Sequence, residues 1–186
     1  MNFNRYITEA EFSELAAFIR REGVVRRFAR GERLSGQGLR SHRCGLVVQG
    51  AFRYVYADAA GEEHGVGYAF AGEFVGDYIS MCVDAPSQVT IGAMCGAEAL
   101  LVPGERLETF YRTDAACERL GRRLAEHMLA EVYERLLDRY AASPQQRYEA
   151  LTERCPDVLQ LVPLRELASY LGVRPETLSR IRRRVR

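Results

Sequence analysis

The sequence predicts an α+β chain in three parts: an N-terminal double-stranded β-roll (jelly roll) over residues 1–112, a long helix over 113–142, and a C-terminal helix-turn-helix domain of winged-helix-like type over 143–186. Three observations carry this. Between Val24 and about Phe110, glycines recur at short intervals among alternating pieces such as "GLVVQGAFRYVYAD" and "QVTIGAM". That is the pattern of short antiparallel strands with tight turns, and many such strands pair into a roll or barrel. Residues 114–143 then run without proline and carry apolar side chains at every fourth position. Behind them, "PLRELASYLG" and "RPETLSRIRRR" are two short helical patterns separated by a glycine.

Each element has its own local reason. In "ITEAEFSELAAFIRREG", Thr8 and Glu11 have capping-box spacing, Phe12, Leu15, Ala16 and Ile19 share one face, and Gly23 ends the helix. In the long helix, Leu120, Leu124, Met128, Val132, Leu136 and Tyr140 step by four, with Ala125, Leu129, Tyr133 and Leu137 beside them. So wide an apolar face is more than one flank of a small roll can cover. One stripe is expected on the β domain and the other on the same helix of a second chain, making a homodimer. Ser143 and Pro144 suit the N-cap and first position of the next helix, and Pro175 the first position of the last one.

Composition removes several function classes. At 186 residues and 47% hydrophobic, the chain can bury one good core or a medium core and a small one. No apolar run approaches the roughly twenty residues that span a bilayer, and "MNFNRYITEAEF" lacks the features of a leader, so no membrane partner and a cytoplasmic address are expected. The five cysteines (Cys44, Cys82, Cys95, Cys117, Cys155) are scattered and form no Cys-x-x-Cys pair, which argues for reduced thiols, with Cys82 or Cys95 open to redox chemistry. His42, His64 and His127 are too dispersed for the clustered ligands of a metal-dependent β-roll enzyme, no Gly-x-Ser-x-Gly is present, and neither a metal nor an enzyme is expected. A haem ligand from His64 or Cys82 stays open.

Charge is divided along the chain. All 26 cationic residues are arginine, and residues 143–186 hold nine of them against five acids, whereas residues 1–112 hold twelve against fourteen. No arginine falls between Arg53 and Arg106, although eight acids do. The positive end coincides with the glycine-linked helix pair. A steep crossing of two short helices needs a small residue, a left-handed turn residue and apolar anchors, and Ala168, Gly172, Val173, Leu178 and Ile181 supply them, with Leu167 and Leu171 completing the first helix. Glu176, Thr177, Ser179, Arg180 and Arg183 then form the outer face, side chains suited to base edges and phosphates of double-stranded DNA.

At this point the chain resembles the Crp–Fnr family of bacterial transcription regulators. "Glu-Thr-Leu-Ser-Arg" at 176–180 is similar to the Glu-x-x-Ser-Arg recognition pattern of the Fnr branch, "ARGERL…GQG…CGLVVQGAFRYVYADAAGEEHGVGYAFAGEFVGD" to the family's cyclic-nucleotide-binding-type roll, and the 114–142 helix stands where the family has its dimerisation helix. The resemblance implies that Arg180 reads a guanine, Glu176 a cytosine and Ser179 an adjacent base. Arg174, Thr177, Arg182, Arg183, Arg184 and Arg186 would then meet phosphates. It also implies a homodimer on an inverted repeat and admits RNA polymerase as a further partner. Arg174 departs from the family's usual Ser or Thr N-cap, and sequence for a full wing hairpin is missing.

The resemblance implies an effector pocket at Gly72, Glu73, Ser87 and Gln88. In family members that bind cyclic AMP, a Gly-Glu pair is followed by an arginine that takes the phosphate, and here "FVGDYISMCVDAPSQVTIGA" offers none. A buried phosphodiester without a cation costs several kcal/mol. Arg122 or Arg123 of the long helix could substitute, but helical residues of that kind more often point to solvent. Cyclic nucleotide is therefore not expected, no cofactor is assigned, and on the acidity of residues 54–105 a neutral or cationic effector fits better. The competing reading is a β-roll ligand-binding module or enzyme whose basic C-terminus docks a partner.

Overall fold

The computed structural model describes residues 3–185. Two four-stranded antiparallel sheets face each other, in the orders β1-β8-β3-β6 and β2-β7-β4-β5, where β1 is Val24–Phe28, β2 Arg33–Ser35, β3 Arg43–Gln49, β4 Ala51–Ala57, β5 Glu63–Phe70, β6 Phe74–Gly76, β7 Thr90–Ala93 and β8 Ala97–Pro103. Phe28, Val47, Phe52, Val75, Ile91 and Leu101 alternate inward from both sheets and fill the space between them. The β3–β8 pair approaches so closely at Gly45 that a Cβ would lie 1.7 Å from the Leu100 carbonyl oxygen. Only glycine fits there.

Helix α1 spans Ser13–Glu22. It starts later than the spacing of Thr8 and Glu11 predicts. The Thr8 hydroxyl does accept from the Glu11 amide at 3.2 Å, but Glu11 turns its carboxylate to Arg123 at 2.6 Å, so the box is half made and residues before Ser13 form turns. Within the segment expected to be all strand, a short helix α2 (Tyr78–Cys82) and a second, α3 (Gly104–Tyr111), interrupt the roll. Phe12, Leu15 and Ile19 pack with Leu46, Val102, Leu107, Leu120 and Leu124, so α1, α3 and the long helix cover one sheet.

The long helix, α4, is Ala115–Ala141. Asp114 caps it, its carboxylate accepting from the Ala116 and Cys117 amides at 2.8 Å, and those bonds hold its pKa below the ordinary value. The helix has two unlike halves. Leu120 and Leu124 are buried on the roll, whereas Leu129, Val132, Tyr133, Leu136, Leu137 and Tyr140 are exposed. Among the described residues no helix is long and apolar enough to cross a membrane.

Four further helices follow: α5 (Pro144–Arg154), α6 (Val158–Leu161), α7 (Leu164–Leu171) and α8 (Pro175–Val185). Ser143 caps α5 in a full capping box with Gln146, as its Ser-Pro start suggests. The short α6 has no counterpart in the sequence reading. Tyr148, Leu151, Val158, Leu167, Ala168, Leu171, Leu178 and Ile181 form one core, which also takes in Phe3, Ala51, Tyr68 and Phe70 from the roll side. The C-terminal helices therefore share apolar burial with the roll.

Candidate nucleic-acid interface and effector pocket

The turn between α7 and α8 is built as the glycine predicts. Gly172 sits at φ 66° and ψ 38°, and the Val173 amide reaches back to the Ala168 carbonyl at 2.9 Å, a left-handed helix end that satisfies the last carbonyls of α7. Leu178 and Ile181 point inward and fix the roll angle of α8. With those two anchored, Glu176, Arg180 and Arg183 lie together on the outer face and are exposed, while Thr177 and Ser179 are half-buried beside them. The Arg180 guanidinium reaches the Thr177 hydroxyl only at 3.5 Å. Arg174 and Arg184 are exposed and Arg182 is half-buried. Arg186 lies outside the described residues.

Helix α7 is held to the roll through its polar side. The Ser169 hydroxyl accepts from the Gly65 amide at 3.0 Å, Glu166 pairs with Arg53 at 3.4 Å, and Tyr170 lies under the Arg135 guanidinium at 4.8 Å. Arg147 of α5 spans the other joint, donating to the Ala142 carbonyl at the end of α4 at 2.7 Å and to the Leu171 carbonyl at the end of α7 at 3.2 Å. None of these contacts uses α8. Its outer face stays open to solvent.

The turn residues of the roll are placed differently. Gly72 and Gln88 are exposed, and Glu73 and Ser87 are buried. The Glu73 carboxylate accepts from the amides of Phe3, Asn4 (3.1 Å) and Phe70 (2.9 Å), so the segment at Phe3–Asn4 occupies it. Burial raises its pKa while those amides oppose the rise. Ser87 donates to Asp77, which also accepts from Ser80 at 2.6 Å. A carboxylate thus stands beside the serine at the turn where cyclic AMP binders of the family carry a phosphate-binding arginine. The two helical arginines do not replace it: Arg122 pairs with Glu126 and Arg123 with Glu11.

The other candidate chemistries find little support in geometry. His42 contacts the Ala85 carbonyl at 3.3 Å, His127 the Tyr6 carbonyl at 2.8 Å, and His64 Asp58 at 3.0 Å. Asp58, Glu62 and His64 do cluster at the β4–β5 turn, but Asp58 already caps it through the Ala60 and Glu62 amides. The Cys44 thiol is pushed up to about 12 by burial, which opposes thiolate chemistry; Cys82 and Cys95 are exposed.

A large cavity went unread in the sequence. It holds about 600 Å³ between the roll, α4, α5 and α7. Its roll wall includes Tyr54, Gly67 and Val75, its helical wall Leu124, Met128, Arg135, Arg139, Arg147 and Arg154, and none of Gly72, Glu73, Ser87 or Gln88 borders it. The missing signal is long-range: its wall joins residues from Asn4 to Leu171, which no local spacing relates.

Comparison with known proteins agrees with this architecture. Residues 25–114 match the family model described as cyclic nucleotide-binding domain. FixK2 from Bradyrhizobium japonicum superposes with a TM-score of 0.77 at 18% identity, over 88% of this chain and 84% of that one. The c-di-GMP responsive global regulator CLP of Xanthomonas campestris gives 0.64 at 16% identity, over 93% and 91%. A transcriptional regulator of the Crp/Fnr family from Eubacterium rectale, described as putative, gives 0.67 at 15% identity, over 90% and 80%. No curated protein matches the sequence. A cyclic nucleotide-binding-type roll at residues 25–114, continued by a long helix and a helix-turn-helix, gives this chain the fold of those solved regulators.

Proposed function

We propose that the chain is a sequence-specific DNA-binding transcription regulator, not an enzyme, that acts in the cytoplasm as a homodimer on an inverted-repeat site and does not depend on cyclic AMP. The observation that carries this is α8. Leu178 and Ile181 bury one side of it while Glu176, Arg180 and Arg183 stand together on the other. That is the arrangement by which a recognition helix enters a major groove. Arg180 would give its fork to guanine O6 and N7, Glu176 would accept from a cytosine N4, and Ser179 would meet an adjacent base. Arg174, Thr177, Arg182, Arg183 and Arg184 would neutralise or bind phosphates.

Exposed Leu129, Tyr133, Leu136 and Tyr140 support the dimer, because they recur on one face of α4 at the 4-3-4 spacing of a helix–helix seam. Two chains joined there would set two recognition helices about 34 Å apart, one DNA turn. Independence from cyclic AMP follows from the Asp77 carboxylate at Ser87 and from the occupied carboxylate of Glu73. Regulation would act through small rotations about α4 that change the spacing of the two α8 helices.

Selection from a randomised duplex library, across a salt series and without added ligand, tests the reading. Recovery of an inverted repeat whose binding weakens steeply with salt is the expected result. Recovery of no sequence, with or without cyclic AMP, would overturn it.

A further inference from the structure

The chain ahead of α1 is fastened by side chains of other elements and not by a backbone ladder. Residues 3–6 form neither helix nor strand. The amides of Phe3 and Asn4 donate to the Glu73 carboxylate, and that of Arg5 donates to Glu131 of α4 at 2.9 Å. A backbone amide taken out of water needs an acceptor, and here three in succession find carboxylates from two distant places in the chain. Farther along, Arg5 pairs with Glu134 at 2.9 Å, the Tyr6 hydroxyl donates to the same carboxylate, and the Tyr6 carbonyl meets His127 at 2.8 Å.

Phe3 is the part of this segment that reaches inward. It is 1% exposed, and its ring stands 5.3 Å from Tyr68 and 5.8 Å from Phe70 of β5 and 5.2 Å from Tyr170 of α7, with the Arg154 guanidinium of α5 5.5 Å from its centre. Aromatic packing of this kind adds to plain burial. One side chain thus bridges the roll and two helices of the C-terminal unit. Beside it the joint has the Gly65–Ser169 hydrogen bond, the half-buried Arg53–Glu166 pair and the contact of Tyr68 with Tyr170 at 5.7 Å. Phe3 belongs neither to the core between the two sheets nor to the one under α1. Its loss therefore falls on the joint, and the roll keeps its own packing.

We propose that Phe3–Tyr6 is a releasable strap. Seated, its Phe3 ring keys α7 and the helices packed with it onto the roll; withdrawn, it frees them while both sheets stay folded. Burial of the ring and the carboxylates of Glu73 and Glu131 favour the seated state. Release requires the exit of one ring and the rehydration of three amides, because these residues share no ladder with the sheets. The bearing on DNA rests on the reading of α8 as a recognition helix: Leu178 and Ile181 hold α8 in the same core as α7, so it moves with α7. The strap itself does not rest on that reading.

Amide hydrogen exchange of the full chain, followed residue by residue by NMR, tests the strap without DNA. In the wild type, lifting the strap exposes the amides of Phe3, Asn4 and Gly65 in one opening, so their protection should agree within about threefold and lie roughly tenfold or more below that of the β1–β8 ladder. Phe3→Ala should speed exchange at Gly65 by about tenfold or more and in the β1–β8 ladder by less than about twofold. Phe3→Leu keeps most of the buried volume and should fall between, and it decides the matter if the alanine variant does not fold. Strap amides protected as strongly as the ladder, unchanged exchange at Gly65, or an acceleration there matched across the ladder would each make Phe3 an ordinary core residue and overturn the proposal. A failed operator selection leaves the strap standing, and a failed strap leaves the DNA reading standing.

Discussion

The Glu73 carboxylate and the Ser87 hydroxyl have partners within the chain, whereas along α8 Glu176, Arg180 and Arg183 face outward and form no ion pair among the described residues. Both stretches carry polar side chains of the types that bind ligands. What separates them is whether binding must first break something. An outside ligand at Glu73 has to displace three backbone amides from a buried carboxylate, each costing about 1–3 kcal/mol once orphaned. A phosphate at Arg183 displaces water and counterions, and their release favours binding.

The largest effect is expected from breaking the closed end of that comparison. Glu73→Ala leaves the amides of Phe3, Asn4 and Phe70 without their acceptor and should lower unfolding stability by about 2–4 kcal/mol, measured as a fall in the urea midpoint. The Gln variant sharpens it through pH. Burial raises the folded pKa of Glu73, so the unfolded chain releases its proton first as pH increases. Wild-type stability relative to Glu73→Gln should be greatest below the ordinary carboxylate pKa and decline as pH rises through the raised folded value. A relative stability that instead grew with pH would mean the three amides outweigh burial.

That closure is the part of the molecule the sequence could not disclose. The short strands, the Asp114 and Ser143 helix starts, Gly172 and the Leu178–Ile181 anchors all rest on neighbours within a few residues, or on periodicity, and could be read locally, whereas the pairing of β1 with β8, Val24 to Leu101, could not. Glu73 and Phe3 are 70 positions apart, and their contact depends on the fold bringing the N-terminal segment across the roll. The same limit hid the cavity and its arginines. It also explains the late start of α1, where Glu11 favours Arg123, 112 positions away, over its local cap. Helices α2 and α6 are too short, at five and four residues, to show a period distinct from a strand or turn.

At the open end, Arg180→Ala should cost about 1–3 kcal/mol of discrimination at a single base-pair position and leave the rest of the selected site unchanged. Competition binding between the selected duplex and one altered at each position would locate it. A uniform loss across all positions would reassign Arg180 to phosphate. No change at all would favour a ligand-binding roll or enzyme with a basic docking segment over a DNA reader.

Ser169→Ala tests the boundary between the two regions, because this hydroxyl joins α7 to β5 without touching α8. Removing the acceptor of the Gly65 amide should cost about 1 kcal/mol and speed hydrogen exchange at the Gly65 amide, with base preference unaltered. Altered preference would mean that the roll sets the approach of α8 to the groove.

The smallest effect per residue is expected at Arg183, and its character matters more than its size. If Arg183 only neutralises a phosphate, Arg183→Ala should weaken specific and random duplexes by the same factor and lower the slope of log affinity against log salt by about 1. Arg180→Ala, by contrast, should change the ranking of sequences. These two side chains share one exposed face and differ by less than one helical turn in position. Opposite signatures from such close neighbours would show that α8 is oriented in the groove by its buried Leu178 and Ile181, since a freely rotating basic helix would give both arginines the same salt-dependent, sequence-blind role.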